Sequence, residues 1–154
     1  ALGALGATSI GLVERDAARG EALSVDLNKQ GITTTTLSAD EAEHQMASFD
    51  GVVNCTPVGH INHPGCPIKT DQLHKRQWVF DAVYIPARTE LLMAAEQQGA
   101  ATLSGVDLFV FQGIDAFRFF AGEQTTSAAI DARVASVRDH YFQQLVLNGN
   151  SRAS

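Results

Sequence analysis

The 154-residue chain has little of what marks several large protein classes. It carries two cysteines, Cys55 and Cys66, in or beside one loop. Two cannot build a disulfide framework, and a pair of reduced thiols is the expected state. Lys and Arg number 11 against 17 Asp and Glu, a net charge of −6 with no basic cluster, which excludes an electrostatic nucleic-acid face. The longest apolar runs are strand-sized and interrupted, so no membrane span is expected. Ala1 to Ala7 has no positive flank and no cleavage-like site, so it does not read as a signal peptide. Internal repeats and low-complexity segments are absent. His60, His63, Cys66 and His74 do not fall into a two-pair spacing, and Pro57, Pro64 and Pro67 stiffen their loop. No metal site is expected.

A glycine-rich turn leading from a strand into a helix is also missing. Gly3 and Gly6 precede the first β-branched run instead of following it. The chain opens without Met, and its start is expected to lie inside the first helix of a fold whose phosphate loop comes earlier.

What is present is an ordinary globular composition, 45% apolar, enough for one domain with a real core. Short strands are expected at Thr8 to Val13, Ile32 to Leu37, Gly51 to Asn54, Trp78 to Val83 and Ala101 to Leu103. Between them lie helix patterns at Ala17 to Lys29, with Ala18, Ala22, Val25 and Leu27 inward, at Ser38 or Asp40 through Met46, and at Glu90 to Gln98 capped by Thr89. A strongly apolar helix is expected from Phe109 to Phe120, its Phe109, Phe111, Phe117, Phe119 and Phe120 packing in the core or in part forming a surface that meets another domain. A last helix, Ser127 to Leu147, has Ile130, Val134, Val137, Tyr141 and Leu145 on one stripe, followed by a polar tail. Strands alternating with helices predict βαβ units and a parallel, doubly wound α/β sheet, truncated at its first strand and closed by a C-terminal helix. The expected division is 1–125 for the sheet domain, 126–147 for a helix of the same unit, and 148–154 for a tail.

Chemistry-bearing residues gather at strand ends, the edge of an open α/β sheet where ligands bind. Asn54-Cys55-Thr56-Pro57-Val58-Gly59 comes directly after Gly51-Val52-Val53: Asn54 and Thr56 bring short polar groups, Pro57 fixes the loop, and Gly59 lets backbone approach a ligand. Glu14-Arg15-Asp16 comes directly after the first strand. An acid there can accept from ribose hydroxyls and repel a 2′-phosphate, while Arg15 can pair with that phosphate.

The order of Asn54-Cys55-Thr56-Pro57-Val58-Gly59, Val83-Tyr84-Ile85-Pro86, Ser104-Gly105-Val106-Asp107-Leu108 and Gln112-Gly113-Ile114-Asp115-Ala116-Phe117 resembles the cofactor-binding half of shikimate/quinate dehydrogenases, over about residues 1–125. Ser104 and Leu108 depart from the family's Asp-Gly-x-x-Met turn. Asn62-His63-Pro64-Gly65 leans towards the quinate/shikimate branch. The resemblance implies a Rossmann-like fold and an oxidoreductase that interconverts shikimate or quinate and the 3-dehydro ketone. NAD is the implied cofactor, favoured by Glu14 and Asp16, with NADP left open by Arg15. Cofactor contacts fall to Glu14, Arg15, Asn54, Cys55, Thr56, Pro57, Ala82, Gly105 and Leu108, and substrate contacts to Tyr84 and to Gln112 at a helix start. The family's Lys and Asp for proton transfer lie in an N-terminal substrate domain, so no catalytic residue is assigned within this chain. The implied setting is a cytoplasmic enzyme of aromatic amino acid biosynthesis, with neither membrane nor nucleic acid as partner and with a homodimer as an open assembly. The competing expectation is a non-catalytic cofactor-binding or assembly fragment of the same fold.

Overall fold

The computed structural model describes residues 2–121 and 127–150. They form two compact units, Ala1–Ser48 and Phe49–Ser154.

In the first unit a single 3-10 turn, Gly3–Leu5, precedes strand β1 (Ser9–Leu12), helix α1 (Ala17–Lys29), strand β2 (Thr33–Thr36) and helix α2 (Ala39–Gln45). The expected helical start is present as this one turn. β1 and β2 pair in parallel, Ser9 opposite Thr33 and Leu12 opposite Thr36. Asp16 starts α1 by accepting from the amides of Ala18 and Arg19 at 3.0 and 3.3 Å. Ser38 starts α2 in a capping box with Glu41. The inward face of α1 differs from the expected stripe. Gly20 and Ser24 are buried while Leu23 and Val25 are exposed. The Ser24 and Thr34 hydroxyls meet at 2.6 Å, a hydrogen bond that joins this inward face of α1 to the threonine-rich β2.

The second unit holds strands β3 (Gly51–Asn54), β4 (Trp78–Asp81) and β5 (Ala101–Leu103), with helices α3 (Glu90–Gln97), α4 (Gly105–Ala121) and α5 (Ser127–Asn150). Its sheet runs β3-β4-β5, all parallel, with Asn54 opposite Asp81. Val79, Leu91, Leu92 and Ala95 pack the buried interior. A second cluster of Ala87, Val106 and Val110 is joined by Ile114 of α4 and by Phe142 and Leu145 of α5. Each sheet by itself has the connectivity of one flank of the doubly wound order 3-2-1-4-5-6.

Two helical expectations need correction. α4 starts at Gly105, four residues before Phe109, because Ser104 caps it: the Asp107 carboxylate accepts from the Ser104 amide and hydroxyl at 2.9 and 2.7 Å. Its buried side is Val106 and Val110, continued by Ile114, so Phe109, Phe111, Phe117, Phe119 and Phe120 all stand exposed rather than in the core. On α5 Val134 and Leu145 of the expected stripe are half-buried together with Arg138 and Phe142, whereas Val137 and Tyr141 are exposed. Ile130's side chain and residues 151–154 of the tail lie outside the described residues.

Candidate functional site

β3 and β4 end side by side, and a buried hydrogen-bond network organises the loops that leave them. The Asp81 carboxyl group has no exposed surface. One of its oxygens accepts from the Asn54 amide at 2.9 Å and the Val83 backbone at 3.0 Å; the other accepts from the Thr89 hydroxyl at 2.6 Å. Taking the Val83 N–H ends β4 at Asp81, two residues before its expected limit. Asn54 donates its other hydrogen to the Val58 carbonyl at 3.0 Å, and its oxygen accepts from the Thr56 amide and hydroxyl at 3.0 and 2.8 Å. Thr89 also caps α3, accepting from Leu92 at 3.3 Å. One carboxyl group thus fixes the β3 loop, the β4 exit and the start of α3. A buried acceptor pair left without these donors would cost about 1–3 kcal/mol.

An open cleft of about 360 Å³ lies over these strand ends, lined by Cys55, Thr56, Pro57, His60, Ala82, Val83 and Tyr84. Gly59, at φ 101°, takes a conformation open mainly to glycine and turns the loop back, so that His60 and His63 form an antiparallel bridge. The Ile61 amide donates to the Ile85 carbonyl at 3.1 Å, joining this loop to the one carrying Tyr84. Gly105 packs against the backbone at the exit of β4. A Cβ there would sit 2.4 Å from the Ala82 oxygen and 2.5 Å from the Val83 oxygen, so α4 can start against β4's exit only without a side chain. Tyr84 stacks on Phe109 of α4 with ring centroids 5.9 Å apart, and Phe109 meets Tyr141 of α5 edge-on at 5.5 Å.

Five of the residues expected from the sequence, Cys55, Thr56, Pro57, Ala82 and Tyr84, come together in the cleft. Asn54 is buried beneath it as its organiser. Leu108 is partly exposed on the first turns of α4, and Gln112 is exposed seven residues into that helix instead of at its start. Glu14 and Arg15 are exposed beyond β1, where a Glu14 oxygen accepts from the Asp16 amide at 3.2 Å. Both cysteines are free; burial pushes the Cys66 thiol above its ordinary value, and Glu90 and Asp81 add to that rise. Among the described residues no group of three or more His, Cys, Asp or Glu is placed to hold a metal ion. Sequence reasoning missed Asp81 and His60 as site residues. Asp81 had a signal, an acid at the end of an apolar strand opposite Asn54; His60 had none beyond its place in the loop.

Parallel strands joined through helices, with a polar-edged cleft at the carboxyl ends of two neighbours, define the Rossmann-like class of α/β proteins. No protein-family model matches the chain. Its homologues are shikimate/quinate dehydrogenases. It is 38% identical to a shikimate dehydrogenase (NADP(+)) of Streptomyces avermitilis, over 89% of this chain and 48% of that protein. It is also 38% identical to a quinate/shikimate dehydrogenase (NAD(+)) of Corynebacterium glutamicum, over 76% of this chain and 42% of that protein. The solved quinate dehydrogenase of Corynebacterium glutamicum in complex with NAD superposes with a TM-score of 0.78 at 34% identity, covering 92% of this chain and 49% of that one. Shikimate dehydrogenase from Thermotoga maritima, 21% identical with a TM-score of 0.66 over 88% of this chain and 49% of that one, shares the fold. The chain spans about half the length of the curated relatives it matches.

Proposed function

We propose that this chain is the cofactor-binding part of an NAD(P)-dependent oxidoreductase that interconverts shikimate or quinate and the 3-dehydro ketone. The observation that carries the reading is the cleft over the adjoining ends of β3 and β4, held open by the Asp81–Asn54–Thr89 network, in a chain similar to dehydrogenases of that name. The nicotinamide end of the cofactor lies against Thr56, Pro57, Ala82 and the Gly105 backbone, with Leu108 beside it. Tyr84 and Gln112 face the substrate, one by its phenol and the other by its amide. The proton-transfer pair belongs to a substrate domain outside this sequence. Residues 1–125 serve the cofactor, with 126–147 as a helix of the same unit. The setting is cytoplasmic synthesis of aromatic compounds by the shikimate route, and a homodimer is the assembly proposed.

Glu14 and Arg15 decide between cofactors. A carboxylate beside a 2′-phosphate repels it, and NAD is therefore the proposed partner; Glu14→Asn should move the NADP-to-NAD affinity ratio upward on the order of tenfold. Titration of the chain with NADH tests the main reading. Saturable shifts of the Ala82 and Val83 amides in 15N-resolved NMR are the expected result, and their absence at millimolar NADH would sink it.

A further inference from the structure

The Asn54 and Thr56 side chains of the Asn54–Gly59 loop bond within the protein. Both Asn54 amide hydrogens go to Asp81 and Val58, and the Thr56 hydroxyl donates to Asn54 while accepting from the Val58 amide at 3.2 Å. The side-chain donors left to a ligand in the cleft are the Tyr84 hydroxyl, the Cys55 thiol and the His60 imidazole. His60 is the one whose proton is placed by the fold. Its backbone is pinned on both sides: its amide donates to the Pro57 carbonyl at 3.1 Å and its carbonyl accepts from His63 at 2.7 Å. Its Nδ1 accepts the Asn62 backbone N–H at 3.1 Å. An amide nitrogen can only donate, so Nδ1 must be the bare nitrogen of a neutral ring, and the ring proton sits on Nε2.

We infer that His60 binds the ligand of this cleft by donating its Nε2–H to an acceptor oxygen in the nicotinamide-riboside half of the cofactor. The inference rests on the cofactor reading above, which puts Ala82, Val83 and Tyr84, the other walls of this cleft, at that half. A fixed tautomer matters because a neutral imidazole that could move its proton to Nδ1 would present a lone pair and repel the same oxygen. The Asn62 contact removes that alternative. His60 acts by binding and has no part in proton transfer.

Long-range 1H–15N correlation of the imidazole in the 154-residue chain reads the tautomer directly, and titrations with nicotinamide mononucleotide, AMP and shikimate read the ligand. The expected outcome is an Nε2–H signature without ligand and a shift of that nitrogen with nicotinamide mononucleotide but not with AMP or shikimate. His60→Leu should weaken nicotinamide mononucleotide binding roughly three- to tenfold, the worth of one hydrogen bond, and His60→Gln, whose amide nitrogen falls near Nε2, should restore most of it. An Nδ1–H tautomer overturns the inference, as does a His60 that responds to shikimate alone. If the mononucleotide shifts the Ala82 and Val83 amides while His60 stays still, His60 is excluded and the cofactor reading stands. If it shifts none of the three, both fail together. The wild-type tautomer measurement holds even if His60→Leu does not fold.

Discussion

At the scale of single residues, Asp81 and Gly105 govern the cleft although neither is part of its lining. Asp81 works through acceptors: three donors from three segments converge on two oxygens. Asp81→Asn keeps the shape but turns one acceptor into a donor facing another donor. Urea unfolding should show a loss of about 1–3 kcal/mol, with cofactor affinity falling as the loop loosens. An unchanged midpoint would mean that the network is incidental to the fold. Gly105→Ala places a methyl group inside contact distance of two backbone carbonyls, which cannot yield as a flexible side chain can. A cost of roughly 1–3 kcal/mol is expected from such overpacking, read as a lower melting temperature together with shifted Ala82 and Val83 amides. The same methyl at Gly113, where nothing lies near, serves as the control.

At the scale of elements, an ion pair joins α5 to α4 beside the apolar contacts of Phe142 and Leu145. Arg138 on α5 donates its Nε hydrogen to Asp107 at the start of α4. Burial alone would raise the Asp107 pKa, but the Arg138 guanidinium and the Ser104 amide and hydroxyl outweigh it and hold the carboxyl below its ordinary value of 3.8. A depressed pKa stabilises the fold above the unfolded value, and that contribution is lost as pH falls below about 3.8 towards the folded value. Arg138→Ala should therefore be less stable than the wild type near pH 6, and the gap should close progressively below pH 4. Urea melts across that range give the answer, and a gap independent of pH would leave apolar packing by Phe142 and Leu145 as the whole of the docking. The exposed phenylalanines of α4 are crowded at both ends of the helix and cover its outer faces, while Val106, Val110 and Ile114 hold the inner one.

At the scale of the whole molecule, the two compact units differ in what supports them. The first has a two-stranded sheet and few buried apolar side chains, chiefly Leu37, Ala42 and Met46; the second has three strands and most of the buried interior. Two strands by themselves are marginal. Hydrogen exchange should therefore find the amides of β1 and β2 opening at lower free energy than those of β3 and β4, and equal protection would contradict that ranking. Turnover is a separate matter. The chain carries no residue assigned to proton transfer, so purified protein should reduce NAD with shikimate or quinate no faster than a heat-inactivated control.

The order and kind of the elements could be read directly from the amino-acid sequence, because local rules fix them. Asp16, Ser38 and Thr89 cap helices wherever the chain goes, and β-branched runs such as Thr33–Thr36 and Gly51–Asn54 form strands in any sheet that accepts them. The start of α4 was misplaced at Phe109, although Ser104-Gly105-Val106-Asp107 has the spacing of a reciprocal cap. The convergence of Cys55, Thr56, Pro57, Ala82 and Tyr84 was anticipated from motif order. Tertiary structure alone decided which face of each helix is inward: α1 meets β2 through a hydroxyl pair and α4 packs by a three-residue apolar seam. It alone engaged Asn54 in supporting the loop, since its partner Asp81 is 27 residues away and arrives only through strand pairing. His60 enters the cleft for the same reason: the bond from Ile61 to Ile85 joins two loops that no local rule connects.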